Sequence, residues 1–472
     1  MRYSRVFLVR TSVRLFGSYL PVGIGILSEI LGEKGLDHEV MDMNIGYKTA
    51  DLIANISDFR PDLIGFSLLS VGYKKNYDLI RKVKKKFPDI DIVVGGPHVS
   101  VFKEDILGEC DTINYAVVCE GEEVIDELCR GKELKDIKGL IYRSGNEIVF
   151  AGERSPITDL DRFPFPKYKK FHMNKYEDII PVYSSRGCPF KCTFCSVHHV
   201  IGKGFRAKTA EYVFNELKYW YDQGRRHIYF FDDDFSEDLG RIFRLCELIK
   251  KEKIDDLRLS CADVRADKLN KDLLKAMWGI GFRDVDLGVE GGNNKILRSI
   301  RKGETIERIE ETIRDACDLG FNVQLFFQVG FPGQTVSDIE DAVEFALKYP
   351  IKRAHFFNTV PTPNTELYKW VIENSRLLET PEEYMNGAYH AINRPLFETA
   401  ELSLEDRKKM LDYTGKISVL TLKNYYSRKF EGYGLLGKLL VGIGFNAFFI
   451  KLRENTRLWK LVSYVPKRLF KI

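Results

Sequence analysis

Along residues 1–145, short apolar runs alternate with helical patterns: Val6–Val9, Val22–Leu31, Val40–Met43, Leu63–Ser67, Ile92–Val94 and Tyr115–Val118. Runs of β-branched and aliphatic residues without polar alternation suit strands buried on both faces, as in a parallel sheet. The pattern predicts an α/β fold whose N-terminal domain is doubly wound and Rossmann-like, with a ligand crevice at the carboxyl ends of its strands. Residues 146–180 lose this periodicity and carry Pro156, Pro164 and Pro166, so they are read as a linker. Over 181–395 the alternation resumes, with strand candidates at Val182–Ser184, Ile228–Phe231, Leu257–Ser260, Val285–Val289, Val323–Val329 and Ala354–Asn358. Six βα units fit this span. Stripes such as Val213, Phe214, Leu217, Trp220 and Tyr221, or Ile306, Ile309, Ile313 and Ala316, have helical spacing and are expected to pack in the core. Residues 396–472 read as helical.

That last region ends unlike the rest. Gly432–Ile450 is apolar and Gly-rich but interrupted by Lys438 and Asn446, a poor pattern for a spanning helix. Residues 451–472 carry four Lys and three Arg against one Glu, with Trp459, Tyr464 and Phe470 interleaved. An apolar stretch ahead of a basic, aromatic segment suits either a membrane-interfacial anchor or a helical cap with a solvated basic face.

At 472 residues the chain exceeds the size of a single core, so two or three domains are expected. A hydrophobic fraction of 44% with 30% charged residues fits a folded globular protein, and a net charge of +4 gives no reason to expect nucleic acid as a partner. The start lacks a basic segment followed by an apolar one and a small-residue cleavage site, so a cytoplasmic location is expected. Nine cysteines, an odd number, fit thiols or metal ligands better than disulfides.

Three of those cysteines carry the chemistry. Ser185-Arg186-Gly187-Cys188-Pro189-Phe190-Lys191-Cys192-Thr193-Phe194-Cys195 places thiols at C-x3-C-x2-C directly after a predicted strand. Thiolates bind iron–sulfur cores, and three on one loop can hold three irons of a cubane and leave the fourth for an exogenous ligand. A structural zinc site is the alternative and needs a fourth ligand, for which His198 or His199 would have to serve. Cys110, Cys119, Cys129, Cys246, Cys261 and Cys317 are isolated in mostly apolar patterns and read as structural thiols.

This loop, with aromatic Phe194, resembles the signature of the radical S-adenosylmethionine (SAM) superfamily. Tyr229-Phe230-Phe231-Asp232-Asp233-Asp234-Phe235 resembles the second-strand segment of its cobalamin-binding, class B methyltransferase-like branch; Leu287-Gly288-Val289-Glu290-Gly291-Gly292 resembles the fourth-strand G-x-E-S/G-G segment; Gly330-Phe331-Pro332-Gly333 resembles the fifth-strand turn. The resemblance covers nearly all of residues 181–370 and implies a partial (β/α)6 TIM-type barrel, a 4Fe–4S cluster on Cys188, Cys192 and Cys195, and reductive cleavage of SAM to a 5′-deoxyadenosyl radical. It also implies SAM contacts for Phe194, Asp232, Asp233, Asp234, Arg265, Glu290, Gly330 and Gly333. Carboxylates at the second strand suit the SAM ammonium, Arg265 its carboxylate, Glu290 the ribose hydroxyls, and the two glycines a close approach of adenine.

The N-terminal domain resembles the cobalamin modules fused to this branch through Pro21-Val22-Gly23, Gly65-Phe66-Ser67, Val94-Gly95-Gly96-Pro97-His98 and Cys119-Glu120-Gly121-Glu122. The implied cobalamin contacts are Pro21, Gly23, Ser67, Gly95, Gly96, Pro97, His98, Glu120 and Gly121. Modules of the methionine-synthase type carry D-x-H-x-x-G with a cobalt-ligating His; here Asp42-Met43-Asn44 has Asn in that place and Gly46 falls one residue early. A lower-axial His is therefore not expected, and His98 reads as a loop or crevice residue.

The implied activity is methyl transfer from cobalamin to an unactivated carbon of a small-molecule or lipid-like substrate, with an electron donor such as ferredoxin or flavodoxin. Radical cyclisation, oxidation or carbon–carbon coupling without methyl transfer is a second enzymatic reading, and a non-catalytic cobalamin or iron–sulfur carrier a third. A tRNA thiomethyltransferase would carry a second cysteine triad and a nucleic-acid-binding tail, and neither is evident.

Overall fold

The computed structural model describes residues 1–12, 18–387 and 394–444. Its first sheet has strands β1 (Arg5–Arg10), β2 (Asp37–Asp42), β3 (Leu63–Ser67), β4 (Asp91–Gly95), β5 (Tyr115–Val117), β6 (Leu140–Ser144) and β7 (Glu147–Phe150), in the order β2-β1-β3-β4-β5-β6-β7. The first five run parallel and the last two antiparallel. Successive residues of β1 explain its unbroken apolar run: Val6 and Leu8 enter one core, Phe7 and Val9 the core on the opposite face. Strand order reverses between β1 and β3, and such a switch point opens a crevice at the carboxyl ends of those strands.

The stretch read as a linker differs from that expectation. It begins with β7, whose four residues are too short a run to stand out in the sequence, and the remainder is packed. Tyr168 is buried and lies 5.9 Å from Trp220 between ring centroids, Tyr176 donates to Asp42 at 3.0 Å, and the Lys167 amide donates to Glu29 at 3.0 Å.

The second sheet is an open half-barrel of six parallel strands: β8 (Ile180–Val182), β11 (His227–Phe230), β12 (Arg258–Val264), β13 (Phe282–Glu290), β14 (Asn322–Val329) and β15 (Arg353–Asn358), ordered β15-β14-β13-β12-β11-β8. A two-residue pair, β9 (Ser185–Arg186) with β10 (Arg206–Ala207), sits above β8. Strand β8 ends before the predicted Ser184, because the Ser184 and Ser185 amides turn to the Asp232 carboxylate instead of a neighbouring strand.

Alternate residues of the half-barrel divide its two faces. Val285, Leu287 and Val289, or Val323, Leu325 and Phe327, pack outward into one core with Val213, Leu217, Trp220, Ile309, Ile313 and Ala316 of the surrounding helices. Asp284, Asp286, Asn322, Gln324 and Gln328 have the opposite phase and line the concave side. The helices start on oxygen caps, Thr209 for Ala210–Asp222, Thr305 for Ile306–Asp318 and Thr335 with Asp338 in a capping box for Val336–Lys348. The helix Leu404–Lys429 covers β15, and a shorter one follows at Gly434–Gly444. The basic tail lies outside the described residues, within which no helix is long and apolar enough to cross a membrane.

Candidate active site

The three-cysteine loop leaves β9 at the mouth of the half-barrel. Gly187 opens it at φ 77°, a left-handed conformation, and a Cβ there would collide with the Gly204 carbonyl oxygen. Its amide donates to Asp233 at 2.8 Å. The Thr193 amide donates to the Ile300 carbonyl at 3.0 Å, the Leu367 amide to the Thr193 carbonyl at 2.9 Å, and the Cys195 amide to the Cys192 carbonyl at 3.2 Å, which closes a tight turn between two of the thiols. Burial pushes the Cys188 thiol up to about 12, the Cys195 thiol up to about 11 and the Cys192 thiol upward as well. Three thiols on one loop match the donor set of an iron–sulfur cluster, whose cationic core would hold them ionised against that burial. His198 gives Nε2 to the Cys188 carbonyl at 2.7 Å, so it braces the loop, whereas the zinc alternative needed a fourth ligand.

The acidic triplet after β11 divides its work. Asp232 is fully buried and receives the Ser184 amide at 2.6 Å, the Ser184 hydroxyl and the Ser185 amide at 3.1 Å. Asp233 holds Gly187. Both were expected at SAM, yet their hydrogen bonds shape the loop that bears the thiols. Asp234 takes the Ser236 hydroxyl at 3.0 Å on one oxygen, and its other oxygen lies 3.8 Å from Cys188 Sγ; burial raises its carboxyl to about 6. Arg265 was expected at the SAM carboxylate. It pairs instead with Asp267 at 3.1 Å, donates to the Lys302 carbonyl at 2.6 Å and lies 3.5 Å over the Phe190 ring, under the cysteine loop.

Glu290 ends β13 at φ 69°, with Gln328 donating to one oxygen at 2.9 Å and the Lys302 ammonium 3.6 Å from the other. Lys302 is buried and also faces Glu304 at 3.6 Å. The sequence reading missed Lys302 and Glu304, since Arg301-Lys302-Gly303-Glu304 looks like a solvated turn; the buried ion pairs become visible only in three dimensions. Gly288 makes room for this group, because a Cβ there would sit 3.2 Å from the Lys302 ammonium.

After β14, Phe331 meets Phe194 at 5.3 Å between centroids, which ties the fifth-strand turn to the cysteine loop. Gly330 stands at φ 103°, and a Cβ there would fall on the guanidinium of buried Arg407, which donates to the Gly330 carbonyl at 3.0 Å. The absence of a side chain at this position thus makes room for Arg407. Gly333, at φ 76°, has open space on that side.

In the first domain, Ser67 and Gly95 close β3 and β4, Pro97 starts the helix Pro97–Phe102, Pro21 caps Val22–Glu33, and Gly121 caps Glu122–Arg130. A Cβ at Gly23 would meet nothing within 4 Å, and at Gly95 or Gly121 only Val117, beyond 3.8 Å or at it, so the crevice is open along these residues. Gly96, at φ 101°, presses against the Leu68 backbone. Two residues expected at cobalamin also hold the fold together. His98 is 1% exposed, with Tyr77 on Nε2 at 2.9 Å and Ser70 on Nδ1 at 3.2 Å, so both nitrogens are committed to packing. Glu120 receives Arg186 at 2.6 Å, Arg206 at 2.8 Å and the Ile157 amide at 2.8 Å, and so ties the first domain to the β9–β10 pair that carries the cysteine loop. Asn44, where a cobalt-ligating His would stand, donates its backbone N–H to the Asp42 carboxylate at 2.8 Å.

The carboxyl edges of the two sheets therefore meet across the cysteine loop: Arg186 joins Glu120 and Glu122, and Cys119 Sγ lies 3.8 Å from the His199 carbonyl. The geometry thus sets a doubly wound crevice against a three-thiol loop on a parallel half-barrel. Residues 182–346 match the model of the radical SAM superfamily and residues 13–129 that of the B12 binding domain. An uncharacterized methyltransferase of Pyrococcus horikoshii is 31% identical over 402 residues, covering 83% of this chain and 86% of its own. The fold is that of TsrM from Kitasatospora setae, solved with cobalamin and a [4Fe–4S] cluster bound (TM-score 0.74, 15% identity, 98% and 99% of the two chains). It is also that of OxsB with aqua-cobalamin and SAM (TM-score 0.69, 18% identity, 99% and 73%). The chain belongs to the cobalamin-dependent radical SAM methyltransferase family, an enzyme family whose cofactors are a 4Fe–4S cluster, SAM and cobalamin.

Proposed function

We propose that this enzyme methylates an unactivated carbon of a small molecule bound between the two sheets, and that Cys188, Cys192 and Cys195 hold its cluster. The observation that supports this most is the junction just described, where the open crevice of the first sheet abuts the thiol loop of the second. When bound, the cluster with SAM supplies a carbon-centred radical and cobalamin supplies the methyl group. In this reading Phe194, Asp234, Glu290 and Gly333 contact SAM, with Lys302 fixing Glu290. Asp232, Asp233 and Arg265 hold the loop, and Gly330 with Arg407 holds the fifth-strand turn. Pro21, Gly23, Ser67, Gly95, Gly96, Pro97 and Gly121 line the cobalamin crevice, while Glu120 clamps the domains. Proximity of the two crevices makes the transfer effectively intramolecular. The electron comes from an external donor of the ferredoxin or flavodoxin type.

Anaerobic reconstitution tests the assignment. The wild type is expected to bind four irons and to absorb near ~400 nm, as thiolate-bound iron does, and Cys192→Ala to lose both. It is also expected to retain cobalamin by mass analysis. Full iron binding by Cys192→Ala would refute the ligand assignment.

A further inference from the structure

The concave face of the half-barrel carries a polar relay and an aromatic shelf that the cofactor sites leave unused. Tyr229 on β11 donates to Asp286 on β13 at 2.6 Å. Gln324 on β14 donates its carboxamide N–H to the other oxygen of Asp286 at 2.7 Å, and that bond fixes which way the amide points. Its carbonyl oxygen then faces His355 on β15, whose Nε2 lies 3.2 Å away. A carbonyl only accepts, so His355 holds its proton on Nε2 and presents Nδ1 as a lone-pair acceptor. Burial lowers the His355 pKa to about 4, which keeps the ring neutral near pH 7.

The same histidine belongs to a stack. Its ring is parallel to Phe326 within 9° at 4.8 Å and to Phe357 within 3° at 6.0 Å. All three are only partly buried, unlike Phe327 and Phe356 of opposite phase, which pack among the outer helices. Across the sheet Tyr229, Phe231 and Tyr183 form a second aromatic group, with Tyr229 and Phe231 4.4 Å apart. Parallel rings in such a register accept a further flat ring in offset stacking.

We propose that the half-barrel lumen binds a planar aromatic or heteroaromatic substrate bearing an N–H or O–H group that donates to His355 Nδ1, with its ring against Phe326 and Phe357. The inference rests on the proposed methylation of a small molecule where the two sheets face each other, places the substrate's ring on the half-barrel side of that space and names its class. The relay makes the acceptor directional: a donor on the substrate is received, and an acceptor at the same place meets a lone pair. Burying an unpaired lone pair costs more than a made bond returns, so ligands lacking the donor are rejected more strongly than the bond alone implies.

Equilibrium dialysis against the anaerobically reconstituted enzyme tests this with three probes: phenol, which is flat and a donor; anisole, flat without a donor; and cyclohexanol, a donor that is not flat. Phenol is expected to bind at least about fivefold more tightly than anisole, one net hydrogen bond setting the lower bound and the unpaired lone pair adding to it, and about fivefold more tightly than cyclohexanol, from one stacking contact. His355→Phe is expected to erase the phenol–anisole difference while keeping the preference for flat probes. His355→Gln, which restores an acceptor oxygen, is expected to recover part of it. Equal retention of the three probes by the wild type overturns the proposal, whatever the variants do. So does an unchanged phenol–anisole ratio in a folded His355→Phe. Iron and cobalamin content, measured on the same samples, reports separately on the methyltransferase reading.

Discussion

Glu120 offers a quantitative test of how the two sheets are joined. Its carboxylate is 7% exposed as a residue and receives three donors: the Arg186 and Arg206 guanidiniums and the Ile157 amide. Glu120→Gln keeps the size and one acceptor oxygen but removes the charge and turns an NH2 toward an arginine. Removing one partner of a buried ion pair costs about 3–5 kcal/mol; the retained oxygen and the remaining Arg186–Glu122 pair reduce this to about 3 kcal/mol. Because the chain has two large sheets and need not unfold in one step, the interaction is best isolated by a double-mutant cycle with Arg206→Met, read by denaturant unfolding. A coupling of about 2 kcal/mol is expected, since Glu120 and Arg206 touch at 2.8 Å. Effects that add within about 0.5 kcal/mol would show that the clamp contributes nothing and refute the reasoning.

Three further outcomes follow from particular residues. His98, held neutral by burial with its pKa lowered to about 3, binds fewer protons folded than unfolded between that value and 6.5, so its contribution is lost as pH falls through this window. From pH 7 to pH 5 the wild type should lose about 2 kcal/mol more than His98→Asn in denaturant titrations, and parallel curves would contradict it. Gly330→Ala should destabilise by about 3 kcal/mol through its positive φ and its overlap with Arg407, against about 1 kcal/mol for Gly333→Ala, whose surroundings are open; equal unfolding midpoints would count against the Arg407 contact. With Asn44 in place of a ligating histidine, electron paramagnetic resonance of the Co(II) form should lack splitting from a protein nitrogen, and its appearance would overturn that argument.

Much of the architecture is legible in the chain because burial on both faces leaves a simple signature. The unbroken runs at Val6–Val9, Leu63–Ser67 and Val323–Val329 fall within β1, β3 and β14. The cysteine loop is legible because thiol spacing within eleven residues is a local property. What escaped the sequence is non-local. Arg186 and Glu120 are 66 positions apart, and nothing near either indicates that they meet. Lys302 and Arg407 sit in segments rich in charge, where a solvated side chain is the ordinary expectation. Asp232 and Arg265 carry the residue types that a SAM pocket uses; that Asp232 also receives the Ser184–Ser185 backbone and Arg265 pairs with Asp267 is visible only in three dimensions. Chemistry at a strand end could be read from composition; which atom each carboxylate faces could not.

The central claim is tested most directly by product analysis of the reconstituted enzyme under reductant. Incubated anaerobically with SAM, cobalamin and a low-potential one-electron donor, the wild type is expected to form 5′-deoxyadenosine, and Cys192→Ala to form none. Absence of 5′-deoxyadenosine from a wild type that carries four irons and cobalamin, or equal formation by Cys192→Ala, would contradict the account.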